Sequence, residues 1–78
     1  MRGTVVYSCA GRDKGSFLIE VGQKDGLILV CDGKYRPLER PKPKNKKHLR
    51  FTDYTLKEEQ FTANRVLRKS LKQFYKAE

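Results

Sequence analysis

Gly11-Arg12-Asp13-Lys14-Gly15 places two cations between two glycines, and a second group of cations runs from Lys34 to Arg50. A backbone bent by glycines exposes amide donors. A guanidinium beside an ammonium adds charge-assisted hydrogen bonds, and the combination suits phosphate oxygens. Gly11 and Gly15 are expected as the corners, Arg12 and Lys14 as the phosphate-facing residues, and Asp13 as the group that fixes the turn or orients Arg12. In the second group Lys34, Arg36, Arg40, Lys42, Lys44, Lys46, Lys47 and Arg50, less Glu39, put a charge of +7 into 17 residues. Like charges this dense repel one another within a Debye length, and a polyanion relieves that repulsion. Pro37, Pro41 and Pro43 hold part of the run extended, so its cations are expected to track a phosphate backbone at low ordering cost. Tyr35 is the stacking candidate, since bases unstacked from RNA loops rest on aromatic side chains. His48 suits a base, a phosphate or a plain solvent-facing position equally.

Other chemistry is poorly supplied. One histidine and two cysteines, Cys9 and Cys31, fall in separate strands, and no carboxylate pair recurs at helical spacing. The glycine loop lacks the phosphate-loop pattern GxxxxGK[ST], so an enzyme is not expected. No metal-ligand spacing occurs and no cofactor is expected. Cys9 and Cys31 read as half-buried strand residues rather than a disulfide, because small secreted chains normally carry four or more cysteines.

The 78 residues suffice for one domain, and an apolar share of 37% builds one small core with little room for a deep pocket. Eighteen Lys and Arg against nine Asp and Glu leave +9, an excess that opposes compact folding and favours a polyanionic partner, nucleic acid first. No apolar run approaches the roughly 20 residues needed to cross a bilayer, and no signal sequence opens the chain. A soluble, cytoplasmic chain, monomeric when free and without a membrane partner, is the expectation.

The elements that position these residues follow from alternation and turn chemistry. Gly3 to Ser8 and Phe17 to Gly22 read as strands flanking the glycine loop. Asp25-Gly26 and Asp32-Gly33 read as hairpin turns on either side of Leu27 to Cys31. That apolar run lacks alternation, which predicts a central strand covered on both faces. Lys34 to Glu39 is expected as a fourth strand, with Pro37 at an edge or bulge. Arg40 to Lys46 follows as an extended basic connection. Lys46 to Phe51 reads as the last strand, with Lys46, His48 and Arg50 on its cationic face. Five short strands with glycine turns predict a small barrel.

Beyond Phe51 residues of high helix propensity take over. Asn64 is the expected N-cap, and Leu67, Leu71 and Phe74 with Val66 form an apolar stripe, while Arg65, Arg68, Lys69 and Lys72 occupy other faces. Thr55 with Glu58 offers an earlier capping box. Phe61 falls off the stripe, however, so a turn and then a helix over 64–76 is expected. The stripe is expected to pack on the Leu27 to Cys31 region. This divides the chain into a barrel over 1–52, including the basic connection 40–46, and a helical extension over 53–78 packed on it.

Gly3-x-Val5-x-Tyr7, the Gly11 to Gly15 loop three residues on, and the alternating Phe17 to Val21 together resemble a KOW motif. In that family strand, basic loop and strand form one side of an SH3-like barrel, and members occur in ribosomal proteins and transcription elongation factors. The likeness is closest to the KOW modules of eukaryotic-type large-subunit ribosomal proteins and the small bacterial RNA-binding proteins similar to them. It covers about residues 3–51, through Asp32-Gly33-Lys34, the Pro- and Lys-rich stretch and Lys47-His48-Leu49. Many KOW motifs carry another glycine just after the loop, where this chain has Phe17 and Leu18. The resemblance implies an SH3-like β-barrel that binds RNA, ribosomal RNA foremost, through Gly11, Arg12, Lys14 and Gly15. With the strands and helix read above, the expected fold is mainly β, a small SH3-like β-barrel of about five strands with a C-terminal α-helix. The alternative is a protein-interaction module docking on an acidic surface of a ribosomal or transcription component. Nonspecific DNA binding ranks third, since no recognition helix or minor-groove arm is evident.

Overall fold

The computed structural model describes residues 2–75. Five strands come in order, β1 (Thr4–Ser8), β2 (Phe17–Lys24), β3 (Leu27–Cys31), β4 (Lys42–Lys44) and β5 (Leu49–Thr55). Helix α1 (Asn64–Lys72) follows, and single 3-10 turns occupy Lys46–His48, Glu58–Gln60 and Gln73–Tyr75. The strands form one antiparallel sheet in the order β4-β3-β2-β1-β5. The protein is thus mainly β with a C-terminal helix, the class expected from the alternation and glycine turns.

Alternation along β1 and β2 sends side chains to two cores. Val6 and Leu18 join Ile28, Val30 and Leu49 on the inner face of the bent sheet. Val5 and Ile19 join Cys31 on the outer face, where Leu56, Phe61, Leu67 and Leu71 cover them. The uniformly apolar β3 serves both cores, as its missing alternation predicts. Cys31 is the residue of β3 that shares the buried cluster of Leu67 and Leu71, together with Val5 and Ile19. Phe61 is buried from the turn before the helix, which is why it sits off the helical stripe.

Asp25 and Gly26 have φ of 51° and 80°, the paired positive values of a two-residue hairpin turn between Lys24 and Leu27. Asp32-Gly33 does not repeat it. The Asp32 carboxylate accepts from the backbone N–H groups of Lys34 and Arg36, both at 2.8 Å, and bends the chain into a local turn. No strand forms over Lys34 to Glu39. The fourth strand is Lys42–Lys44, inside the stretch expected as a connection, and it pairs with β3 as an edge strand that tolerates Pro43.

Lys46 to His48 likewise leaves the expected last strand. Asn45 Oδ1 accepts from Lys47 N at 3.1 Å and starts a 3-10 turn, so β5 begins at Leu49 and runs past residue 52 to Thr55. Asn64 is the first helical residue rather than the N-cap, which is Ala63. Its side chain reaches across the chain instead, accepting from Leu38 N at 2.7 Å and donating to Glu39 at 2.9 Å. The helix ends at Lys72 and passes into the 3-10 turn. The expected end at residue 76 lies outside the described residues.

Candidate functional site

The glycine loop is closed by two backbone bonds, Ser8 N to Ser16 O at 2.9 Å and Gly15 N to Ser8 O at 2.8 Å. Inside it Lys14 N donates to Gly11 O at 3.2 Å and Ser16 N to Asp13 O at 3.0 Å. Gly11 and Gly15 take φ of +87° and +90°, where a side chain would be strained, so they are the corners of the loop. Asp13 turns inward. Its Oδ1 accepts from Ser8 Oγ at 2.9 Å and from Lys44 Nζ at 2.8 Å, and Lys44 also donates to Ala10 O at 2.8 Å.

This arrangement reassigns Lys44. Its side chain is only 6% exposed and that of Asp13 11%, so Lys44 is withdrawn from the surface where the basic run places it. β4 is one edge of the sheet and the loop follows β1, next to the other edge strand. The Lys44 ammonium therefore bridges the bend that brings the two sides together. Burial alone would raise the Asp13 carboxyl pKa. The hydrogen bonds from Lys44 and Ser8, with the Lys44 charge, outweigh it and hold the group below its ordinary 3.8. The one acid of the loop is thereby cancelled, while Arg12 and Lys14 remain exposed.

The 46–48 turn lies beside this loop. Cys9 N donates to His48 O at 2.8 Å, and the β1–β5 register sets Ser8 opposite Leu49 and Tyr7 opposite Arg50. Lys46, Lys47 and Arg50 are exposed, and His48 is half-buried. The structure therefore brings Arg12, Lys14, Lys46, Lys47 and Arg50 to one end of the sheet.

The remainder of the run is divided. Lys34 and Tyr35 stand on the turn beside α1, with Tyr35 74% exposed and the Lys34 ammonium 5.0 Å from its ring centroid. Arg36 is half-buried, its Nε enclosed without a hydrogen-bond partner. Arg40 is exposed on the following loop and Lys42 is half-buried on β4. A single extended ribbon from Lys34 to Arg50 does not form, because Asp32, Asn45 and Asn64 each fold the chain locally.

Four further cations, Arg65, Arg68, Lys69 and Lys72, stand exposed along α1. Their i, i+3, i+4, i+7 spacing is visible in the sequence and marks one helical face.

Cys9 and Cys31 are both free thiols. Burial, then the charge of Asp32, pushes the Cys31 thiol up to about 11, which leaves it protonated and unreactive at neutral pH. Among the described residues no group of three or more His, Cys, Asp or Glu is placed to hold a metal ion. No helix of the described residues is long and apolar enough to cross a membrane. No known family model and no curated protein sequence matches the chain.

Proposed function

We propose that this protein is a non-catalytic, cytoplasmic RNA-binding module that grips the sugar-phosphate backbone of a structured RNA, ribosomal RNA foremost. One observation carries the reading. The Asp13–Lys44 pair cancels the only acid in the loop, while Arg12, Lys14, Lys46, Lys47 and Arg50 have no ion-pair partner among the described residues and stand at the same end of the sheet. Backbone ties hold these cations in register before a ligand arrives, so little ordering cost accompanies binding. The resemblance of the loop and its flanking strands to a KOW motif supports the same partner. Recognition would be by charge and shape, because phosphates carry no sequence and the deep groove of A-form RNA excludes side chains.

If each of the five cations takes one phosphate, log affinity falls with log salt at a slope of about −3.5, taking the single-strand value of about −0.7 per contact. Fluorescence anisotropy over a salt series with a ribosomal RNA fragment, tRNA and duplex DNA tests this. Arg12→Ala/Lys14→Ala should reduce the slope by about 1.4. Identical curves for the variant and the parent on every nucleic acid would reject the loop as the contact.

A further inference from the structure

Helix α1, Asn64–Lys72, carries four cations and no acid. Leu67 and Leu71 face the core, and Arg65, Arg68, Lys69 and Lys72 share another face at one-turn spacing. Like charges one turn apart, Arg65 with Lys69 and Arg68 with Lys72, weaken a helix. Arg65 also stands in the first turn, where the helix dipole disfavours a cation. Nothing inside the helix offsets this repulsion.

The cationic face borders a groove of about 750 Å³, a size that admits a nucleotide-sized ligand. Its opposite wall is the turn bearing Lys34 and Tyr35, and Phe17 and Tyr75 line it as well. The width is set by covalent and packed structure. Gly33 lies directly against the Asn64 carbonyl, and Asn64 holds Leu38 by a 2.7 Å bond. Asp32 is the one acid among the described residues that line the groove, and its Oδ1 is occupied by two backbone N–H groups. Tyr75 is fixed because its hydroxyl accepts the Phe17 N–H at 2.7 Å, with the two rings edge-to-face at 5.2 Å.

Lys34 covers one face of the Tyr35 ring, and the ring remains 74% exposed. The open face carries the negative side of the ring quadrupole, which disfavours a carboxylate but accepts the flat surface of a base. Ring and cations therefore fit a ligand that alternates π-faces with negative charge. A base inside a duplex has no free face, so the strand must be unpaired.

We infer that the groove between α1 and the Asp32–Arg36 turn is a second RNA site that takes an unpaired strand. One base stacks on Tyr35, and the adjoining phosphates lie against Arg68, Lys69 and Lys72. The inference rests on the reading of the chain as an RNA-binding protein, but it uses neither Arg12 nor Lys14.

The test titrates the full chain against a labelled short oligouridylate and a fully paired RNA hairpin at low salt, with Tyr35→Ala, Tyr35→Phe, Arg68→Ala/Lys72→Ala and Arg12→Ala/Lys14→Ala. Tyr35→Ala should weaken oligouridylate binding about tenfold with its salt slope unchanged, and Tyr35→Phe should keep it. Arg68→Ala/Lys72→Ala should lower that slope by about 1.4, while all three groove variants bind the hairpin like the parent. Thermal melts establish that each variant is folded. Parental oligouridylate binding by Tyr35→Ala, or equal loss on oligouridylate and hairpin, would overturn the inference. So would an oligouridylate that the parent ignores, or polyglutamate competing as well as oligouridylate, which would point to an acidic protein surface. If only the Arg12→Ala/Lys14→Ala variant is indistinguishable from the parent, the loop assignment fails and the groove stands.

Discussion

The Gly11–Gly15 loop and the Lys34–Arg50 run look alike in sequence, each a cluster of cations near glycine or proline, yet they fold by different rules. The loop is one rigid corner whose acid is buried and whose two cations point out. The run is split into a turn against the helix, an edge strand and a 3-10 turn beside the loop. One of its cations, Lys44, serves the loop rather than a ligand. The difference teaches that charge density alone does not mark a binding surface. What matters is whether a counter-charge lies within reach once the sheet has bent.

Removing Lys44 breaks this comparison most severely. Lys44→Met leaves the Asp13 carboxylate buried without its cation, a loss of about 3 to 5 kcal/mol. A chain of this length has about 4 to 12 kcal/mol in all, so much of the variant would unfold. Lys47→Met, on an exposed residue of the same run, should shift the urea midpoint by no more than about 0.5 kcal/mol allows. Similar small shifts in both variants would mean that Lys44 is just another surface lysine.

The same pair sets an acid limit. Asp13 is held below its ordinary 3.8 in the folded protein. Its contribution is therefore present above the unfolded value and is lost as pH falls through the lower folded one. Stability of the parent should drop below about pH 3.8, and that part of the profile should flatten in Lys44→Met. A parent profile with the same acid limb as Lys44→Met would show that the pair does not couple to folding.

Gly33→Ala comes next. Gly33 has φ of +83°, and an added Cβ would run into the Asn64 carbonyl. The left-handed backbone alone costs about 1 to 3 kcal/mol for a residue with a side chain. The turn must also back away from the helix, so oligouridylate binding should weaken while hairpin binding is kept. Loss of both in equal measure would merge the two regions into one surface.

Legibility in the sequence follows the range of the interactions. β1 to β3 and the Asp25-Gly26 hairpin are readable because β-branched alternation and turn residues act locally. The helix is readable from Leu67, Leu71 and Phe74. β4 is not, because Lys-Pro-Lys has no strand preference of its own and is held by pairing with β3. Asp32 and Asn45 look like strand punctuation, but their side chains capture nearby N–H groups and turn the chain. The glycine loop is visible in the sequence as a cationic corner. The partner of its acid is not, since Lys44 stands 31 residues from Asp13 and no periodicity joins them.

The smallest expected effect sharpens the division of the basic run. Asn64→Ala removes the acceptor for Leu38 N and the donor to Glu39, at 2.7 Å and 2.9 Å. The part-buried bond from Leu38 N is worth about 1 kcal/mol of stability. The more telling readout is Glu39, whose carboxyl is held below its ordinary 4.5 first by the Asn64 amide and then by a backbone N–H. Without the amide its titration, followed by NMR, should move back up toward 4.5. Arg40 and Lys42 follow directly in the chain, so their signals should broaden if the loop lifts from the helix. An unmoved Glu39 titration would mean that Asn64 does not hold the Leu38–Glu39 loop against the helix.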